Sequence, residues 1–244
     1  MKMRIGVGLT VAACAAFASA GHAADLSTPV PTMAPAASGH EVFFDGSLAA
    51  VYSANSASPW SAVISGRATV LSSSGWGASI TGIDQASLSG VSVNVVGGQV
   101  DVFKNFGAGA LGASYAIASG NGITISGVGF SGALFAGNAQ LRGSITHSFA
   151  SAPVPALTSV TGQIAYYFTP NTEGYVGVAQ AWNDASASGT SFSVGAEHKF
   201  QSSPFSVFGG LAYSTTASSL AATVGVRFTP SALSLQDFTR KVPF

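Results

Sequence analysis

Three short runs near the end of the sequence constrain the fold more than any other feature. They occupy residues 190–200, 205–213 and 220–228, and a tight polar break follows each run. In the last run, apolar side chains occupy every second position: Leu220, Ala222, Val224, Val226 and Phe228. A period of two places alternate side chains on opposite faces of a strand. Runs of about ten residues with aromatics near their ends are typical of strands that cross an outer membrane in a closed barrel.

The scarcity of charge agrees with a lipid-facing surface. Only 7% of the 244 residues are charged, while 30 are glycine, and soluble domains carry about 25% charged residues. A helical membrane protein would need apolar runs of about 18 residues, and none follows the first thirty residues. Because every backbone amide must be paired in hydrocarbon, a closed barrel is the lipid-spanning fold that remains. The alternative is a soluble all-β or secreted low-complexity protein.

Residues 1–23 have the pattern of a secretory signal peptide. A basic start at residues 1–4 precedes an apolar stretch over residues 5–20, and small residues at positions 21 and 23 predict cleavage before Ala24. The single cysteine, Cys14, lies within this segment, and residues 11–14 also resemble a lipoprotein box, so lipidation of Cys14 is the alternative. A mature chain without cysteine has no disulfide, no thiol catalysis and no cysteine-bound metal.

Beyond the signal peptide, the sequence predicts a leader, a barrel and a tail. Residues 24–40 contain three prolines and form a flexible periplasmic leader. Residues 41–230 form an all-β, transmembrane antiparallel up-and-down β-barrel of about twelve strands, within an error of about two. Residues 231–244 form a periplasmic C-terminal tail. The predicted strands are 42–53, 60–72, 75–82, 92–104, 109–118, 123–136, 139–149, 158–169, 173–182, 190–200, 205–213 and 220–228.

The pattern of breaks supports this count. Every second break is tight, as expected of periplasmic turns, and the others are somewhat longer. Two strand registers stay unsettled, in 92–104, where residues 95–98 interrupt the alternation and suggest a bulge, and in 173–182. Aromatics near strand ends predict two interfacial girdles: Tyr52, Trp60, Trp76, Phe103, Phe106, Phe149, Tyr167, Phe168, Tyr175, Trp182, Phe200, Phe205, Tyr213 and Phe228.

A few charged residues alternate with the apolar face and are therefore predicted to point into the barrel. They are Asp45, Arg67, Asp101, Arg142, Glu197, Lys199 and Arg227. A charge that faces lipid costs about 2–4 kcal/mol near the midplane. Inside a lumen, charges of both signs can set ion selectivity or can pair and hold the barrel shut, and the sequence favours both equally. The small inward residues, mostly Ser, Gly, Ala and Thr, favour some open volume.

The sequence offers little support for other chemistry. His147 and His198 are in phase with apolar neighbours, as expected of interfacial residues, and a hydrolase of Ser and His is the least favoured reading. The histidines lack the clustered ligands that a metal needs, so no metal or cofactor is predicted. After loss of Lys2 and Arg4, seven basic residues face nine acidic ones. With no basic patch, nucleic-acid binding is not expected.

Three stretches, residues 21–26, 200–213 and 222–228, resemble the porin-family outer-membrane β-barrel proteins of alphaproteobacteria, with an OmpA-like barrel but no peptidoglycan-binding domain. The resemblance implies a location in the outer membrane and partners that include outer-membrane lipid, the barrel-assembly machinery and periplasmic chaperones. In that family an aromatic at the end of the last strand is the assembly signal, and Phe228 matches that position.

These observations predict a porin-like channel rather than an enzyme. It would be a monomer or a loose oligomer that passes ions or small hydrophilic solutes by passive diffusion. Arg67, Arg142 and Arg227 would meet Asp45, Asp101 and Glu197 across the lumen and give weak ion selectivity. The alternative is a closed structural or surface-interaction, adhesin-like barrel whose loops are the functional part.

Overall fold

The computed structural model describes residues 39–54, 56, 59–89, 94–150, 155–183, 188–216 and 218–244. The predicted signal peptide, Cys14 and nearly all of the predicted leader lie outside the described residues. Within the described part of the chain, no helix has both the length and the apolar character needed to span a membrane.

Twelve antiparallel strands close into one barrel, as the sequence predicts. Each strand pairs with its neighbours in sequence, and the first pairs with the last. The strands are β1 (His40–Ser53), β2 (Trp60–Ser72), β3 (Trp76–Ser87), β4 (Asn94–Asn105), β5 (Gly109–Gly120), β6 (Ile123–Ala136), β7 (Ala139–Ala150), β8 (Leu157–Thr169), β9 (Thr172–Asn183), β10 (Ser188–Lys199), β11 (Phe205–Ser214) and β12 (Ser219–Phe228).

The outer surface of the barrel is apolar and its inner surface is polar. In β2, Ile64 and Val70 are exposed on the outside, while Ser65, Arg67 and Thr69 alternate with them and are buried. The same alternation runs around the barrel, because a period of two separates the faces of every strand. A closed barrel with an apolar exterior pairs every backbone group within the sheet and presents hydrocarbon to lipid.

The connections differ in length at the two ends of the barrel. At one end, here called the turn side, β2–β3, β4–β5, β6–β7 and β8–β9 are joined by two or three residues. Gly75, Gly107 and Gly137 supply the positive φ that these turns require. The opposite end, the loop side, has mostly longer connections, although Asn121 and Gly122 form a two-residue turn there. Short turns are characteristic of the periplasmic side.

The structure corrects several details of the sequence prediction. Strand β3 extends to Ser87, through residues that were predicted to form a loop. The register of β4 is continuous through residues 95–98 with β3 and from Val96 onward with β5, so the suggested bulge is absent there. An irregularity occurs instead between Tyr167 and Thr169, where β8 pairs with β9. Three predicted girdle aromatics point inward: Phe103 and Tyr167 are 1% and 2% exposed, and the Tyr175 ring lies over Gly195 inside the barrel.

The chain continues past β12 into a short helix that lies at the turn side. Helix α1 (Leu235–Lys241) begins at Ser234, whose side-chain oxygen accepts a hydrogen bond from the backbone N–H of Asp237. Arg240 and Lys241 occupy its last turn, where positive charge is favourable. Its inner face carries Leu235, Phe238 and Thr239, all buried.

Candidate functional site

Among the described residues, eight buried charged side chains line the inside of the turn-side half of the barrel. Seven are the residues predicted from sequence, and the eighth is Glu173. They are Asp45, Arg67, Asp101, Arg142, Glu173, Glu197, Lys199 and Arg227. Four are acidic and four are basic, so this ring is close to neutral. The structure places all seven predicted residues inward, and their role in ion selectivity stays a prediction.

Arg67 and Asp45 form a two-point ion pair along the barrel wall. They are direct partners in the β1–β2 register, and Arg67 Nε donates to Asp45 Oδ1 at 2.7 Å while Nη2 donates to Oδ2 at 3.1 Å. Such a fork fixes the guanidinium plane as well as its charge. The third group, Nη1, donates to the backbone oxygen of Phe244, which reaches this point from the C-terminal segment. Arg67 therefore joins the wall to the end of the chain.

Arg227 and Glu197 form a second pair, two strands apart. Arg227 Nη2 lies 3.1 Å from Glu197 Oε2, and the hydroxyl of Ser206 on the intervening strand donates to Oε1 at 2.6 Å. The guanidinium also lies 5.8 Å from the centre of the Phe208 ring. Both charged side chains are at most 4% exposed. Each charge therefore depends on the other, because water does not replace a missing partner.

Arg142 meets Glu173 rather than Asp101. Its Nη2 lies 3.9 Å from Glu173 Oε2 and donates to Gln140 Oε1 at 2.8 Å. The Tyr167 hydroxyl donates to the same oxygen at 3.2 Å. Gln140 Nε2 and Glu173 Oε2 are buried without a hydrogen-bond partner in the structure. This cluster is the least completely hydrogen-bonded of the buried pairs.

Glu173 was missed because the register of its strand was not settled. Val176, Val178 and Trp182 of β9 are exposed on the outside. Their spacing of two or four residues places the odd-numbered positions, including Glu173 and Tyr175, inside. That alternation was the signal that could have identified Glu173.

Asp101 and Lys199 have separate surroundings. Asp101 accepts a hydrogen bond from Gln99 Nε2 at 2.7 Å on the same strand. Lys199 Nζ donates to the backbone oxygens of Ser231 and Leu233 at 2.9 and 2.7 Å. The Lys199 side chain thus holds the chain where it leaves β12, instead of facing an open lumen.

Three inward aromatic rings lie on inward glycines of the neighbouring strand. In register, Phe103 is opposite Gly77, Tyr175 is opposite Gly195, and Phe208 is opposite Gly225. A Cβ on any of these glycines would collide with its ring. Each glycine therefore leaves room for the large side chain opposite it, and we call these three positions glycine seats. The rings occupy more of the turn-side half of the lumen than the sequence predicted.

The loop-side half of the lumen carries paired hydroxyl groups among small and apolar side chains such as Val63. On β7 and β8, Ser144 and Thr161 lie 2.7 Å apart and Thr146 and Ser159 lie 2.6 Å apart. Gln85 Nε2 donates to Ser61 at 3.2 Å across β2 and β3. The eight buried charges all lie in the other half. The lumen is thus divided into an uncharged polar half and a charged half.

Residues 229–244, here called the C-terminal segment, cover the turn-side mouth. The backbone N–H of Gln236 donates to the oxygen of Pro170 at 3.0 Å, and its side chain donates to the oxygen of Gly137 at 3.1 Å. Asn105 donates to the backbone oxygen of Arg240. The segment therefore touches three turns of the barrel, β8–β9, β6–β7 and β4–β5. The sequence predicts a periplasmic tail for residues 231–244 but none of these contacts.

The apolar side chains of the segment enter the barrel. Phe238 packs edge-on against Phe43 with ring centres 6.0 Å apart, and Val242 completes this buried cluster. Phe244 lies edge-on to Phe103, 6.1 Å between centres, and its ring is within 3.0 Å of the position of a Cβ on Gly112.

His147 and His198 each pair with a threonine of a neighbouring strand. His147 Nδ1 is 2.8 Å from Thr158 Oγ1, and His198 Nδ1 is 2.8 Å from Thr172 Oγ1. Each ring also packs edge-on against a phenylalanine two residues later on the outer face. In the described part of the chain, no group of His, Cys, Asp and Glu is arranged to hold a metal ion.

Phe228 ends the last strand at the turn side. It is opposite Gly46 of β1 and Phe205 of β11, and its ring centre is 5.2 Å from that of Phe205. The position agrees with that of a terminal aromatic, and its role as an assembly signal stays a prediction.

Solved structures of porins share this fold. A KdgM porin in complex with disordered oligogalacturonate has a TM-score of 0.58 and 11% identity, over 75% of this chain and 98% of that chain. A NanC porin has a TM-score of 0.59 and 11% identity over the same shares. No family model matches the sequence, and no curated protein matches it. The twelve-stranded barrel and its apolar exterior place the protein in the outer membrane.

Proposed function

We propose that this protein is an outer-membrane channel that passes ions or small hydrophilic solutes by passive diffusion. The observation that carries the proposal is the loop-side half of the lumen with its paired hydroxyl groups. A barrel of eight strands is about filled by its own side chains, and twelve strands enclose more volume. The names of the KdgM and NanC porins support the same class. We also propose, from the resemblance in sequence, that the protein is related to the porins of alphaproteobacteria.

A closed structural or surface-interaction barrel is the second candidate. The observations that favour it are the ion pairs and inward aromatic rings of the turn-side half, together with the C-terminal segment across its mouth. The two candidates differ in whether the barrel conducts.

Conductance of the refolded, signal-free chain in a planar lipid bilayer tests the channel. We expect discrete current steps whose size increases with salt concentration. The chain should first be shown to be a folded barrel by its heat-modifiable mobility in electrophoresis. A folded barrel with no steps, both for the natural sequence and for the segment-releasing variant described below, would contradict the channel and support the closed barrel.

Ion selectivity is expected to be weak, since the ring of eight buried charges is balanced. Asp101→Asn removes one inward negative charge while Asn can still accept the hydrogen bond from Gln99. In a salt gradient we expect the reversal potential of this variant to shift towards the equilibrium potential of chloride. Arg142→Gln should shift it towards the equilibrium potential of the cation. The matched control is Asp84→Asn on β3, because Asp84 is exposed on the outer face. An equal shift in the control would exclude a lumen effect.

A further inference from the structure

The barrel is complete without the C-terminal segment. Strand β12 pairs with β11 and with β1, and β1 pairs with β2, so the ladder closes at Phe228. The segment adds no strand to it. Undocking would leave every backbone pair of the barrel in place.

The docking contacts are of a kind that can be made and broken. At the rim they are hydrogen bonds to backbone oxygens of the turns, together with the ion pair of Lys241 and Glu41, whose side chains are 37% and 55% exposed. The apolar part consists of the cluster of Phe43, Phe238 and Val242, with Leu71 and Leu233 against it, and of the contact of Phe244 with Phe103. Because the segment belongs to no strand pair of the barrel, it can open locally at a lower free energy than the barrel itself.

The docked segment nevertheless closes the passage. Phe238 and Phe244 occupy the mouth on two sides, against Phe43 of β1 and Phe103 of β4. Inside the barrel, the backbone oxygen of Phe244 accepts a hydrogen bond from Arg67 Nη1. Thr69, which is opposite Phe43 in register, is only 1% exposed. Solute that enters the loop-side half meets this layer before it meets the turn-side solvent.

We infer that residues 229–244 are a releasable plug of the channel. This inference rests on the proposed function. The docked segment closes the turn-side mouth, and its departure opens a path past the ring of buried charges. The channel would then have a closed and an open state that differ in the position of this segment alone, with the same barrel in both.

Two variants of the full chain set the plug in opposite states. In the releasing variant, Phe238→Glu with Lys241→Glu, a charge replaces the buried ring and a second carboxylate faces Glu41. In the locking variant, Glu41→Cys with Lys241→Cys, a thiol-reactive cross-linker with a cleavable disulfide joins the segment to β1. The mature chain has no other cysteine, since Cys14 lies in the predicted signal peptide. Each single cysteine variant treated with the same reagent is a control.

Single-channel recording reads the gate. We expect the open probability of the releasing variant to be at least about tenfold higher than that of the natural chain. The cross-linked locking variant should stay closed until a reducing agent cleaves the bridge. Identical records from the natural, releasing and cross-linked chains would overturn the plug and leave the channel intact.

The rate of thiol labelling measures whether the C-terminal segment is docked, and it does not require an ion current. Thr69→Cys places a thiol in the buried layer, and its reaction with a small charged reagent should be about tenfold or more faster in the releasing variant. An unchanged labelling rate would overturn the plug. Faster labelling in a chain that never conducts would support the plug and contradict the channel, so the two failures are distinguishable.

Discussion

Replacing Arg227 with Met should lower the free energy of unfolding by about 3–5 kcal/mol, because it leaves the buried Glu197 carboxylate without its ion-pair partner. The two charged groups are 3.1 Å apart and at most 4% exposed. The Ser206 hydroxyl would remain as a donor to that carboxylate. Urea unfolding of the refolded protein in lipid vesicles, followed by tryptophan fluorescence, measures the change.

Removing both charges should restore most of this loss. The double variant Glu197→Gln with Arg227→Met removes both charges of this pair, and well-packed neutral replacements of a buried pair are often neutral or stabilising. The matched control is Lys241→Met, which breaks the exposed pair with Glu41 and should cost about 1 kcal/mol or less. A double variant as unstable as the single one would show that Arg227 acts through packing, for example against Phe208.

The strands themselves could be predicted from sequence because each carries its own evidence. In β2, apolar residues such as Ile64 and Val70 alternate with polar residues without interruption. The period is unambiguous because the outer face of the strand contacts lipid and the inner face carries polar side chains. The same argument placed Asp45, Arg67 and Arg227 on the inner face. Where small residues interrupt the period, as in residues 95–98 and in β9, the predicted inward set was incomplete. Asp101 of β4 was assigned inward, but Phe103, Tyr175 and Glu173 were not.

The partners of the inward residues could not be predicted, because they depend on register. That Gly77 is opposite Phe103, or that Arg142 reaches Glu173, follows from how neighbouring strands are staggered, and no local pattern specifies it. Helix α1 did have a local signal. Ser234 followed three residues later by Asp237 resembles a capping box. Its docking into the barrel still depends on contacts distant in sequence, such as that of Gln236 with Gly137, 99 residues away.

The glycine seats supply the second large effect. Gly225→Ala should destabilise the barrel by about 3 kcal/mol, the upper end of the usual cost of overpacking, since one of the two close contacts cannot relax. The new Cβ would lie 2.5 Å from the Phe208 ring and 2.6 Å from the backbone oxygen of Leu48 on β1. A side chain can move aside, but the Leu48 oxygen belongs to the ladder that closes β1 on β12.

Gly77→Ala separates these two causes, because the three atoms nearest to its Cβ all belong to the Phe103 ring. It should cost about 1–3 kcal/mol, and Phe103→Leu should recover most of that loss. In contrast, Phe208→Leu should recover only part of the loss from Gly225→Ala, since the contact with the Leu48 oxygen stays. Gly82→Ala, where the Cβ would meet nothing within 4 Å, is the neutral control on β3. Equal rescue at both seats, measured by urea unfolding and by the fraction of heat-modifiable barrel, would mean that β1 and β12 can separate enough to admit a methyl group. The closing seam would then be more pliable than its register implies.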